Sequence, residues 1–236
     1  MTEFNITAEE RSGMYQLLAA CYLQTPTLEN IKLVWELIEN AKDIFTEINF
    51  SNLLSESKSR YDLIIENPDS IEVLKQEYFD HTIIPVSPNF IPPYESSIKG
   101  ATPAKAGVGK KNKLGWNYNK SSGSSTYNTE LAYKTVGFNP NKLNVGVELN
   151  SSKKVDHLGF ELAFMAYLNT QQLQGESNIN WYKLQTQFLK EHLLDFTQKY
   201  REISAEKSNR FYRALAEVLE SFIRWDNDLR KIQEVK

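Results

Sequence analysis

From Val155 to Leu168 the chain reads VDHLGFELAFMAYL, a helix-forming stretch with almost no polar face. A helix that is apolar all round has to be enclosed on every side, so the remaining elements must wrap it. Asp156 is placed to cap its first turn, with Val155 and Phe160 at the two positions of a hydrophobic staple. The stretch also carries His157 and Glu161 four residues apart, on one side of the helix. Burying that carboxylate is costly unless a partner meets it. The partner is either an internal residue or a ligand with a positive charge.

The elements around this helix read as helical. Thr7 and Glu10 form a capping box ahead of Met14, Leu17, Leu18, Cys21 and Tyr22, and Pro26 ends the run. A second helix follows Thr27, with Leu28, Ile31, Val34, Trp35 and Ile38 on its stripe. Ile44, Phe45 and Ile48 continue the periodicity, another helix follows Ser51, and Ser70 opens one through Leu74 and Tyr78. Further helices are expected from Tyr127 to Val136, from Trp181 to about Tyr200, and along the face Phe211, Leu215, Val218, Phe222, Trp225 and Leu229. Convincing strand alternation is absent, and Pro85 cuts the nearest candidate, Thr82 to Val86. An all-α fold in two helical halves is expected: residues 1–98, a flexible Lys-, Gly- and Ser-rich loop at 99–126 without one acidic residue, and residues 127–236. No repeat of fixed period occurs.

Composition narrows the function. In 236 residues, 41% hydrophobic and 12% aromatic side chains suffice for a core, and the net charge of −3 argues against a broad nucleic-acid surface. One cysteine, Cys21, excludes an internal disulfide and fits a reducing compartment. Met1 to Asn5 lacks the basic and apolar regions of a secretory signal, and no stretch is long enough to span a membrane. A cytoplasmic protein is expected.

Three separated segments resemble one family, the TorD/DmsD group of chaperones for molybdopterin-containing oxidoreductases. Ile91-Pro92-Pro93-Tyr94-Glu95-Ser96 is similar to the family's PPYES element, and Asp156 to Met165 to its DHxxxE signature. Phe188 to Leu193, leading into Phe211 to Ala216, resembles its last two helices in order and spacing. The resemblance spans Thr7 to Asp226. It implies an all-helical, non-catalytic chaperone without a cofactor of its own. Its partner would be a molybdopterin-dependent reductase precursor, bound through the twin-arginine leader and held until its cofactor is inserted before export. Lys154 and Lys153 stand where the family has a proline and an acid, and the family's Tyr-x-x-Leu-Phe element becomes Tyr78-Phe79-Asp80-His81-Thr82. These departures, with the Lys-rich insertion, suggest a divergent client, including one that is never exported.

Leader arginines call for carboxylates beside an apolar groove. The residues expected at that site are Tyr94, Glu95, Ser96, Asp156, His157, Phe160, Glu161 and Phe164, with Tyr167 in support and His157 orienting a carboxylate. In the competing reading, Asp156 is only a cap and His157 with Glu161 is an internal pair. A metal-dependent hydrolase using His157 and Glu161 is the alternative from another class, with His81 or His192 as a further ligand. Three histidines and no cysteine cluster make that signal weak. His192 reads as a core histidine and His81 as a helix C-terminal cap. Ala106 to Lys111 falls short of a phosphate loop, because Lys111 stands where magnesium needs Ser or Thr and Ala104 replaces the first glycine. Trp116, alone in the polar insertion, is expected to be exposed and free to dock on something. Monomer and segment-swapped dimer both remain open, since a long hinge permits exchange.

Overall fold

A computed structural model describes residues 7–41, 62, 66–67, 70–104, 115–118, 123–146, 149, 154–175, 178–208 and 210–234. The continuation through Ile44 to Ile48, the helix after Ser51, the segment Ala106 to Lys111, Lys153 and the first six residues lie outside them.

The chain is all-α. Helix α1 (Ala8–Leu23) starts from the expected capping box, in which Thr7 Oγ1 accepts from the Glu10 amide at 3.1 Å and Glu10 accepts from the Thr7 amide at 2.7 Å. Helix α2 (Leu28–Ala41) is capped by Thr27 and buries Ile31, Val34 and Trp35. Helix α3 (Ile71–Tyr78) runs into a π-helical turn, Phe79–Ile83. The Pro-rich connection then delivers a single helical turn, α4 (Glu95–Ile98). After it, β1 (Thr102–Pro103) pairs antiparallel with β2 (Trp116–Asn117). Helix α5 (Ser124–Thr135) precedes the apolar helix α6 (Leu158–Gln174). Then follow α7 (Trp181–Phe188), a π turn (Leu189–Leu193), α8 (Leu194–Ala205) and α9 (Arg210–Glu234).

The apolar helix is enclosed as its composition requires. Leu158, Leu162, Met165 and Leu168 are fully buried, and Phe160, Phe164 and Ala166 nearly so. Each large side chain here contributes about 2 kcal/mol by leaving water. Helix α1 lies along α6 in the broadest helix–helix contact among the described residues, while α7 and α9 close other sides through a shared core. On α9, Leu215, Val218 and Phe222 are buried as their spacing anticipates, with Phe211 and Trp225 packed at the margin.

Three local expectations are corrected. Helix α6 is capped by His157 rather than Asp156, since His157 Nδ1 accepts from the Gly159 amide at 3.1 Å; Val155 and Phe160 therefore do not occupy the staple positions. Trp116 is not free, because its indole donates to Glu206 at 2.8 Å and Lys199 lies over its ring. His81 sits inside the π turn, fully buried, bonded to the Tyr200 hydroxyl at 3.0 Å and stacked on Tyr212. Helix α5 begins at Ser124, and the described residues 102–103 and 116–118 are held by the two-strand ladder and by Tyr118 bonding Phe90 O.

The α1–α6 contact depends on Gly159. A Cβ there would stand 2.5 Å from Leu23 Cγ and 3.3 Å from the Ala19 carbonyl oxygen. Leu23 is itself buried and has little room to yield. Gly159→Ala should lower stability by about 1–3 kcal/mol in urea denaturation, despite alanine's better helix propensity. An unchanged or raised midpoint would show that the two helices are not in close contact.

Candidate functional site

The two motif segments meet through their main chains. The Leu158 amide donates to Pro93 O at 2.8 Å and the Glu95 amide to Asp156 O at 2.9 Å, so Tyr94 and His157 face each other in an isolated antiparallel bridge. Asp156 completes the joint with its side chain, because Oδ2 accepts the Ser96 amide at 3.0 Å. Asp156 is therefore a capping residue, but for the turn α4 instead of its own helix. Tyr94 packs edge-on against His157, and Lys154 lies over the Tyr94 ring at 4.9 Å.

The same joint turns Glu95 inward. Its Oε2 accepts from His192 Nδ1 at 2.9 Å and from Thr129 Oγ1 at 3.3 Å, and its Oε1 pairs with Lys99. His192 comes from the π turn and stacks on Phe188; the carboxylate, an acceptor only, fixes a proton on Nδ1. Burial pushes the Glu95 carboxyl up, yet the opposing pull of His192 and Lys99 holds it below the usual carboxylate range. Glu161 approaches from α6. Burial drives its carboxyl well up, and the charges of Glu95 and Asp156 push it further in the same direction. Among the described residues no donor reaches either Glu161 oxygen, but as a neutral acid it can donate its own proton to Glu95. Glu95, Glu161 and His192 each offer a donor atom within 4.8 Å of the others.

Of the expected site residues, Glu95, Asp156, His157 and Glu161 are gathered, but all are enclosed, none being more than 1% exposed. His157 does not orient a carboxylate among the described residues: its Nδ1 serves as the cap, Nε2 has no partner there, and burial takes the ring's pKa down to about 3. Among the described residues, a hydrolase centre built on His157 and Glu161 is thus not assembled. Phe160 packs beside His157, and Ser96 lends its amide to Asp156. Phe164 alone of the set lines an open groove of about 360 Å³ between α5 and α7, with Leu131, Leu184, Phe188, Glu191 and His192. Sequence reasoning did not single out Lys99 or Thr129, and it read His192 as a core histidine, as its burial shows it to be, without its link to Glu95. Thr129 and His192 lie 34 and 97 residues from Glu95, and no local pattern links them.

Opposite pH dependences follow from the buried groups. For His157 and His81, burial sets folded values of about 3, below their ordinary 6.5, so the unfolded chain takes up more protons as pH falls. Their contribution is complete above pH 6.5 and is lost from there down towards pH 3. Glu161 is shifted upward, so its contribution is complete below pH 4.5 and is lost as pH rises through its folded value. His157→Asn keeps a capping side chain and removes one titration. Below pH 6.5 its urea-unfolding free energy should fall less steeply than wild type, by up to about 1.4 kcal/mol per pH unit. Parallel profiles for the two proteins would contradict the buried neutral imidazole.

No curated protein and no solved structure matches the chain. A family model does, over residues 53–201, and its description is nitrate reductase delta subunit. That span exceeds half of the chain and contains the Pro-rich connection, the apolar helix and His192. The chain therefore belongs to the nitrate reductase delta subunit family, a TorD-type group of redox-enzyme maturation chaperones and not of catalysts.

Proposed function

We propose that this chaperone binds the twin-arginine leader, and part of the apo form, of a molybdopterin-dependent reductase, in the cytoplasm and before export. The observation that carries this reading is the groove between α5 and α7, which has an apolar floor and one acid, Glu191, at its edge. Phe164, Phe188 and Leu184 supply the floor, and Leu131, half exposed on α5, supplies a wall. Glu191 stands exposed at the edge, where a guanidinium can reach it without losing its water. A leader with two arginines followed by an apolar segment has the complementary order of charge and grease.

In this reading the enclosed acids have a supporting role. Glu95 holds His192, His192 walls the groove, and Asp156 fixes the turn that carries Glu95. Phe164 keeps the direct role expected of it. No helix of the described residues is long and apolar enough to cross a membrane, which fits a chaperone that meets its client before the membrane step. Affinity is moderate, because the leader must order as it docks.

Calorimetric titration with a twin-arginine leader peptide tests the assignment. Wild type should bind with a micromolar Kd. Leu131→Asp, at an exposed position that leaves the core intact, should weaken binding at least about tenfold, or 1.4 kcal/mol. Glu191→Lys should weaken it further for a leader with both arginines than for one with neither. Wild-type affinity in Leu131→Asp would remove the groove from the account.

A further inference from the structure

We propose that Glu95, Glu161 and His192 form a buried binding site for a divalent cation of the zinc class. Three observations converge on it. One donor atom from each residue falls within a 4.8 Å circle, and all three side chains are buried. Glu161 is fully enclosed, and no donor among the described residues reaches either of its oxygens. Glu95 and Glu161 face each other in an apolar setting, and the Lys99 ammonium pairs with Glu95 and with Glu191 O but makes no hydrogen bond to Glu161, so a divalent cation would bond both acids at once, in place of the proton that Glu161 otherwise carries.

The donor set suits the ion. Two carboxylate oxygens and the His192 Nδ1, once it has shed the proton it otherwise donates to Glu95, are borderline ligands that favour zinc over magnesium, and the Thr129 hydroxyl, within 3.3 Å of both Glu95 and His192, can complete four-coordination. Metal–ligand distances of about 2.1 Å require the donors to draw in by roughly an ångström. His192 comes from a π turn and lines the groove, so it offers both an adjustable backbone and a route inward. With all positions supplied by the protein, the ion has no open face for substrate. Its role is to lock the groove wall to the motif joint.

Lys99 is the competitor. It already places a positive charge on Glu95, and it is partly exposed and able to swing out, with its other contact a single backbone carbonyl, Glu191 O. A metal that displaces an ammonium binds more tightly once that ammonium is gone. A purely structural acid cluster makes no such demand.

The test uses the full chain, stripped with a chelator and titrated with zinc against a chromophoric chelator. One equivalent should bind to wild type. Glu161→Gln, with folding checked by circular dichroism, should lose at least tenfold in affinity, and Lys99→Gln should gain at least threefold. If Glu161→Gln fails to fold, Lys99→Gln decides alone. Absence of stoichiometric zinc in wild type, unchanged affinity in a folded Glu161→Gln, or unchanged or weaker affinity in Lys99→Gln overturns the proposal.

Discussion

One short backbone bridge holds the two motif segments of this molecule in register. Pro93 O and Asp156 O receive the amides of Leu158 and Glu95, and the Asp156 carboxylate takes the Ser96 amide as well. A carboxylate at 0% exposure is tolerable only when it is hydrogen-bonded, and the amide it accepts is one that a helical turn would otherwise leave unsatisfied. The exchange benefits both partners. Once it is made, the side chain of Glu95 is aimed at His192, the start of α6 is fixed, and Gly159 can be brought against α1. The groove's geometry follows from this sequence of contacts.

Under the proposed function, the arrangement separates support from recognition. Four titratable motif residues are withdrawn from water, whereas the groove between α5 and α7 is lined by apolar side chains together with Asn128, Thr135, Gln187, His192 and the exposed Glu191. A charge sunk next to a binding groove still matters, because a low-polarity setting makes its contacts strong and its geometry narrow. His192 is the intermediary, with its imidazole shared between the carboxylate inside and the groove outside. A second polar knot, in which Asp226 receives Tyr15 and Arg230 while Arg230 also reaches Gln185, ties α1, α7 and α9 together and keeps the bundle around α6 closed.

Much of this was legible in the residues. Helical periodicity and capping chemistry place α1, α2, α7 and α9, and the apolar run of α6 announces its own burial. The two motif segments could be picked out because their residues are unusual for their setting: prolines before a Tyr-Glu-Ser turn, and acids on a greasy helix. What the sequence could not convey was their mutual use. Asp156 precedes a helix and so reads as its cap, yet main-chain pairing with a segment 60 residues earlier makes it the cap of another turn. His192 resembles any core histidine until Glu95 is beside it. Trp116 looks stranded in a polar tract, and its partner Glu206 lies 90 residues on. Each miss is a long-range contact that overrides a sound local rule.

Native-state hydrogen exchange of the Glu95, Ser96 and Leu158 amides tests the bridge most directly. The account requires these three to exchange together, at the slow rate of the α6 core and only through global unfolding. Fast or independent exchange of the Glu95 and Ser96 amides in the client-free protein would mean that the motif acids stand open to solvent, and that they are not the enclosed framework described above.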